Sequence, residues 1–495
     1  MLSTGSRAPE AHGGALTLTR AARIEALALL VLALLLGAGL RFYRLGLADL
    51  SADEAASWAG AAAPDLRTVT ARQPSLDPGK LALYDATLHG WIGLAGDGVE
   101  SMRALSALLG TIAIALVFVA TRELMLDLGG PEEIRRAELG AALAALVGAV
   151  NLTLVTQART VRMYPLTLVL ELAQAACFLH AQSARAKAPG RAASLAGLAI
   201  FAALAIASNF TAILLPAAEV MWLGWAALRR RGGVRGNAIG GLHLLWPALA
   251  LCAGMALMAP FVPAASRVSV AAVHGGALNW SHLRPPWWPL EMLRGASGKA
   301  PFLLLLPLAM YGGWRMGRGG GGAVLGFVRW WMLVPVALVM AVSYAVTPFE
   351  QTRYVISSVT AFFILAGIGL AMVGDTRLRL ALIVLVVALS LDHVRRDFIK
   401  PQYPQWRKAT ALALAVGARD GIIAVAPAYA VNVVRYYLPR ERRASAEGAG
   451  AECDRRQRVL VLGGAGILAP ARLEALKECD PLIVGRLRLV EVRKR

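Results

Sequence analysis

The chain has 495 residues, 57% of them hydrophobic and only 17% charged, with a mean hydropathy of +0.57 and a formal net charge of +20. An ordinary soluble domain carries about 25% charged residues, so this shortfall, with the apolar residues gathered in blocks, excludes a water-soluble globular protein and points to lipid as the solvent. The excess of Lys and Arg fits membrane topology and a phosphate-bearing substrate; no recognisable nucleic-acid module accompanies it, and no nucleic-acid partner is expected.

A bilayer-spanning helix needs about 17 to 25 mostly apolar residues. Blocks of that kind fall near 24–44, 103–121, 138–156, 164–181, 193–208, 211–228, 239–264, 301–314, 325–346, 354–373 and 378–392. They predict an all-α polytopic membrane protein with about eleven transmembrane helices. The first block is long and lacks a convincing cleavage site, so no cleavable signal peptide is expected. The blocks on either side of Asn209 read as two helices or as one broken helix, and the block at 301–314 is short.

The connections holding Arg122/Arg135/Arg136, Arg185/Lys187/Arg191, Arg229–Arg231/Arg235, Arg315/Arg318/Arg329 and Arg377/Arg379 are short and basic, and the N-terminus carries Arg7, Arg20 and Arg23. The positive-inside rule places this set in the cytoplasm. An odd number of spans then puts the C-terminal tail outside, as expected for a multi-pass protein of a bacterial inner membrane. The outer face gathers a first loop at 45–102, the connection at 157–163, a Trp- and Pro-rich loop at 266–300, the short 347–353 loop and the tail. Trp280, Trp287 and Trp288 suit the membrane–water interface. Leu81–Leu94 reads as a short helix lying at that interface. Two domains follow: a transmembrane part over 1–394 and a small extracytoplasmic α/β domain over 395–495. In the tail Ala411–Val416 is helix-like, and Gly421–Val425 and Val459–Leu462 read as strands. Gly463–Gly466 only weakly resembles a phosphate-binding turn; a tight turn in a small domain is the plainer reading. Of the four cysteines, Cys177 and Cys252 fall in apolar segments, and Cys453 and Cys479 can pair if the tail is outside.

Several polar residues sit close to the spans on the outer face. Asp53 and Glu54 are adjacent in the first loop; a carboxylate there can act as a general base toward a hydroxyl or amine, or can simply be solvated. Arg159 and Arg162 are three apart, so on a helix they would share a face, with Tyr164 after them. Arg353 and Tyr354 open another span on the same side, and Lys80 precedes the interfacial helix. Arginines at the lip of a bundle hold phosphate through paired hydrogen bonds, although interfacial snorkelling explains any one of them alone. His243 and Glu219 are single polar residues in apolar segments and are assigned to helix packing or an interfacial position.

These pieces, in this order, resemble the GT-C superfamily of membrane glycosyltransferases, in the bacterial branch related to protein O-mannosyltransferases and the lipid A aminoarabinose transferase. Arg41-Phe42-Tyr43-Arg44-Leu45-Gly46 followed by Ser51-Ala52-Asp53-Glu54-Ala55 looks like the family's first-loop signature. Leu88–Trp91, Gly96-Asp97 and Met102–Leu108 are similar to its interfacial helix and second span. Arg162-Met163-Tyr164 and Arg353-Tyr354 match two further signatures, and Gln405-Trp406-Arg407, Asp420 and Arg435-Tyr436-Tyr437 look like the start of its extracytoplasmic domain. The resemblance implies transfer of a sugar, hexosyl or pentosyl, from a polyprenyl-phosphate carrier to an acceptor on the outer side, with inversion. The acceptor is a protein, a glycolipid or an envelope polysaccharide. Asp53 matches the position of the base and Glu54 would support it. Lys80, Arg159, Arg162, Tyr164, Arg353 and Tyr354 would bind the carrier phosphate, of which only Arg162-Met163-Tyr164 and Arg353-Tyr354 fall on motif positions. The family usually has an acid two positions before the matched arginine; here it is Thr160, so a second carboxylate is missing or comes from Asp77 or Asp85. The usual His-Pro-Pro-Leu is replaced by Asp77-Pro78-Gly79-Lys80. No metal and no cofactor beyond the lipid-linked donor is predicted, with a divalent metal left open. The alternatives are a transporter or lipid flippase, disfavoured because no repeat is visible and the polar cluster lies at the rim, and a relative that binds carrier lipid without catalysis.

Overall fold

The computed structural model describes residues 10–77, 80–126, 131–183, 186–231, 239–259, 283–318, 322–346, 348, 350–399, 405–416, 423–426, 430–448, 459–462, 482–484 and 487–491. Its helices in chain order are α1 (Glu10–Phe42), α2 (Ala52–Ala61), α3 (Leu66–Leu76), α4 (Leu83–Ala95), α5 (Val99–Leu126), α6 (Pro131–Val150), α7 (Leu152–Gln157), α8 (Tyr164–Gln182) and α9 (Ala188–Ser208). They continue as α10 (Leu214–Arg231), α11 (Ile239–Met258), α12 (Trp288–Ser297), α13 (Lys299–Arg318), α14 (Gly322–Ala345), α15 (Ile356–Ala371), α16 (Thr376–Ile399), α17 (Trp406–Val416) and α18 (Val431–Tyr437).

Among the described residues, seven helical stretches are long and apolar enough to cross a bilayer: Arg23–Phe42, Val99–Leu126, Tyr164–Gln182, Ala188–Ser208, Phe210–Leu228, Gly326–Ala345 and Thr352–Ala371. Helices α6, α11, α13 and α16 pack alongside them. The segment around Asn209 is two helices: the Asn209 side chain accepts from the Thr211 amide at 3.2 Å and starts a single 3-10 turn, Phe210–Ile213, between α9 and α10. Side-chain capping of this kind satisfies amides that the interrupted helix leaves free.

Helix α15 is the axis of the bundle, and every one of its residues is buried. Small residues let its neighbours approach. A side chain at Gly369 would collide with the Leu308 carbonyl of α13, and one at Gly367 with the backbone of Ala144 in α6. Glu219 is not isolated: its carboxylate accepts from Gln174 Nε2 at 2.7 Å, joining α10 to α8. The side chain of His243 lies outside the described residues.

The first loop is largely helical, carrying α2, α3 and α4. The expected interfacial helix at Leu81–Leu94 is α4. In the tail, β1 (Ile423–Ala426), β2 (Ala446–Gly448), β3 (Val459–Leu462), β4 (Leu482–Val484) and β5 (Leu487–Glu491) form one mixed sheet in the order β2-β1-β3-β5-β4. The pairs β1–β2 and β1–β3 are parallel, and β5 is antiparallel to both β3 and β4. Helices α17 and α18 pack on this sheet. Trp280, Arg185, Arg235, Asp420, Cys453, Cys479 and Gly463–Gly466 lie outside the described residues.

Candidate active site

The site is built where the C-terminal end of α1 meets the first loop. Helix ends leave carbonyls without partners, and two arginines take them up. Arg41 is buried and donates to Gly37 O at 3.0 Å, Ala149 O at 2.9 Å and Gly148 O at 3.4 Å, clamping the ends of α1 and α6 together. Arg159 donates to the carbonyls of Leu40, Arg41 and Tyr43 at 3.0, 3.2 and 2.6 Å, with its guanidinium 4.3 Å from the centre of the Phe398 ring. Arg159 thus grips the end of α1; the structure does not bring it among the other cations.

Helix α2 begins with a reciprocal cap. The Ser51 hydroxyl accepts from the Glu54 amide at 3.3 Å, and the Glu54 carboxylate accepts from the Ser51 amide at 2.9 Å. Glu54 is fully enclosed. It also accepts from Arg103 Nε at 2.8 Å, Arg103 Nη2 at 3.0 Å and the Val161 amide at 3.0 Å. Burial alone would raise its pKa, but Arg103 and the two amides outweigh that and hold it below the ordinary glutamate value. Arg103 goes on to the carbonyls of Leu45, Ala48 and Asp49 at 2.7, 2.8 and 3.0 Å. This pair stitches the first loop to α5 and to the 157–163 connection. The Ser51-x-x-Glu54 spacing signals the cap that locks Glu54 in place, but nothing in the sequence ties Arg103 to it.

One residue earlier on α2, Asp53 points the other way. Its side chain is 54% exposed, and its carboxylate lies 3.4 Å from Arg353 Nη1. Arg162 donates to the Asp53 carbonyl at 3.2 Å and to Asp77 Oδ2 at 2.6 Å. Burial opposes the charge of Arg162, but Asp77, Tyr164 and Asp53 outweigh it and keep the guanidinium protonated. Lys80 is buried, 2.7 Å from Asp85 Oδ1, 3.1 Å from Ser57 Oγ and 3.9 Å from Asp77 Oδ2. Burial, working against Lys80, pushes the pKa of Asp85 above its ordinary value. The guanidinium groups of Arg162 and Arg353 lie 5.7 and 5.8 Å from the centre of the Tyr164 ring, and Arg353 is 5.6 Å from that of Tyr354.

The structure therefore brings together Asp53, Lys80, Arg162, Tyr164, Arg353 and Tyr354. Asp77 and Asp85, the two substitutes offered for the acid missing at Thr160, both join them, and Ser57 is added. Three carboxylates alternate with three cations: Asp85–Lys80, Asp77–Arg162 and Asp53–Arg353. Thr160 turns back on its own loop, donating to Gln157 O at 2.9 Å; the carboxylate opposite Arg162 is Asp77. The Tyr164 hydroxyl, Arg162 Nε and Arg353 Nε are buried donors without hydrogen-bond partners among the described residues. No group of three His, Cys, Asp or Glu side chains there is arranged to hold a metal ion.

The tail closes over the same loop. Tyr437 Oη accepts from the Leu50 amide at 2.8 Å, and the Arg407 amide donates to Asp49 Oδ2 at 2.9 Å. Tyr436 Oη donates to Asp97 O at 2.9 Å and meets the Trp58 ring edge-on at 5.1 Å.

The match to solved structures spans nearly the whole chain. ArnT from Cupriavidus metallidurans, in the apo state, superposes with a TM-score of 0.61 at 14% identity, covering 95% of this chain and 99% of that one. This chain shares that fold. The same ArnT bound to undecaprenyl phosphate gives 0.55 at 12% identity over 95% and 98% of the two chains. The Archaeoglobus fulgidus oligosaccharyltransferase in complex with Zn and sulfate gives 0.53 at 12% identity over 88% and 68%. No family model and no curated protein matches the sequence. Within this fold, the polar cluster occupies the end of the bundle where the first loop, the 157–163 connection and the tail converge.

Proposed function

We propose that this protein is a glycosyltransferase that moves a sugar from a polyprenyl-phosphate carrier to an acceptor hydroxyl or amine at the outer face of a bacterial inner membrane. The observation that carries the reading is the half-exposed Asp53 carboxylate beside Arg353, with Arg162 across the Tyr164 ring. Asp53 is the base. It takes the acceptor's proton as the acceptor atom forms a bond to the anomeric carbon. The bond from that carbon to the phosphate oxygen breaks on the opposite side, so the configuration inverts. The polyprenyl phosphate leaves with the electron pair and an added negative charge. Arg353 and Arg162 stabilise that charge, and Lys80 contributes once a second anion competes with Asp85 for it. Glu54 and Arg159 support the site from below, by fixing the loop and the end of α1.

The bound polyprenyl phosphate of the ArnT structure, and the dolichol phosphate with an inhibitory peptide in AglB from Archaeoglobus fulgidus, support a lipid-phosphate donor. The reading takes α6, α11, α13 and α16 as the four spans that complete about eleven. It places the N-terminus in the cytoplasm and the sheet-bearing tail outside as a small domain.

The test supplies purified full-length protein with radiolabelled polyprenyl-phosphate sugars and a membrane extract. Label moving from carrier to a second product is the expected result. No transfer from any hexosyl or pentosyl donor would sink the proposal.

A further inference from the structure

A cavity bearing charged side chains lies where α12 turns into α13 beside the last turns of α16. It measures about 410 Å³ and is lined by Glu291, Arg294, Gly295, Gly298, Lys299 and His393. The turn depends on Gly298, which has φ +89° and carries the His393 ring directly against its backbone, so any side chain there would collide. The end of α12 is pinned by Asn151 Nδ2, which donates to Ala296 O at 3.0 Å. Asn151 caps α7, so the cavity opens at the same end of the bundle as Arg159 and Arg162.

Its charges are unbalanced. Among the described residues neither Arg294 nor Lys299 has a carboxylate within 4.0 Å. Glu291, the acid in the lining, accepts instead from Trp287 Nε1 at 2.9 Å. The hydroxyl of Ser297, next to the turn and buried, has no hydrogen-bond partner among the described residues. Helix α12 has the surface of an element lying flat in a membrane interface: Trp287 and Leu290 are 62% and 52% exposed, while Trp288 and Met292 are buried. Tryptophan at this position marks the level of the lipid headgroups.

We propose that this cavity is a second phosphate site, which takes the phosphodiester headgroup of an anionic glycerophospholipid. Arg294 offers paired donors to the phosphate oxygens and Lys299 a point charge. The exposed Trp287 and Leu290 precede Arg294 by seven and four residues and so share its helical face, where the acyl chains of the same lipid would begin. A free phosphate would satisfy the cations but leave that apolar rim unused. The proposal rests on the membrane reading and not on the transfer reaction, and none of its residues belongs to the Asp53 cluster.

The experiment uses full-length protein in detergent micelles, with dioleoyl phosphatidylglycerol and dioleoyl phosphatidylcholine as probes and native mass spectrometry as the readout. The wild type is expected to prefer phosphatidylglycerol. The exposed double variant Arg294→Gln/Lys299→Gln should lower that affinity about twenty-five-fold, at roughly fivefold per surface cation removed. Arg395→Gln/Arg396→Gln removes equal charge from the neighbouring surface, where both pair with Asp392, and should change binding less than twofold. Equal losses in the two double variants, or no loss in the first, would overturn the site. Displacement of the lipid by millimolar inorganic phosphate would overturn the lipid assignment in favour of free phosphate. Because the readout is lipid retention, the outcome is separate from whether sugar transfer occurs.

Discussion

Asp53 and Glu54 are neighbours with opposite environments. Glu54 is enclosed by Arg103 and by two backbone amides, whereas Asp53 is half-exposed and its carboxylate meets the end of Arg353. Breaking a buried ion pair by removing one partner strands the other charge and costs about 3–5 kcal/mol. Glu54→Gln should therefore lower the thermal midpoint sharply, and Asp53→Asn should leave it nearly unchanged; differential scanning fluorimetry on the purified variants separates the two. A pH titration checks the same pair. The pKa of Glu54 is lowered in the fold, so its contribution is fully present above the unfolded-state value and disappears as pH falls through the folded one. The wild type should hold its midpoint from pH 7 to pH 5 and lose stability below about pH 4, and Glu54→Gln should flatten that acid limb. A limb of equal depth in both proteins would assign the acid sensitivity to another carboxylate.

At the scale of elements, the first loop is held from two sides, by α5 through Arg103 and by the tail through α17 and α18. Tyr437→Phe removes the acceptor of the Leu50 amide at a cost of about 1 kcal/mol. Hydrogen exchange across 50–58 should speed up by roughly fivefold, with the α15 amides unaffected; unchanged exchange in the loop would mean that the tail does not restrain it. Helix α15 has no room to spare. Gly369→Leu drives a side chain into the α13 backbone and should destabilise the bundle by at least about 1–3 kcal/mol, read as a lower midpoint or loss of monodisperse protein on size exclusion. The apolar blocks were legible because length and composition suffice for a span, and so was α4. Helices α2 and α3 are too short and too polar to stand out as apolar blocks, although Ser51-x-x-Glu54 carries the cap of α2. The pairing of Arg162 with Asp77 joins residues far apart in sequence through tertiary packing, so the sequence could offer Asp77 only as one of two substitutes for the acid missing at Thr160. Arg159 shares its spacing with Arg162 but not its surroundings, because the connection at 157–163 is not a continuous helix and turns the two side chains apart.

For the whole molecule, a bundle centred on α15 presents one polar end, and on it the first loop, the 157–163 connection and the tail meet. The alternating chain from Asp85 to Arg353 is electrically balanced without a ligand, so an arriving phosphate must compete with Asp53 for Arg353 and with Asp77 for Arg162. In the proposed reaction, donor binding would then release Asp53 from its ion pair in the same event. Arg353→Gln should weaken retention of polyprenyl phosphate about tenfold or more, as loss of a charge-assisted contact requires, measured by native mass spectrometry. Retention equal to wild type would place the carrier phosphate elsewhere. The most direct test of the central claim is single-turnover transfer from a polyprenyl-phosphate sugar by Asp53→Asn beside the wild type. The account predicts a rate at least about a hundredfold lower, with carrier retention no weaker than wild type, since Asp53 no longer competes for Arg353, and with the thermal midpoint unchanged; transfer within a few-fold of wild type would contradict it.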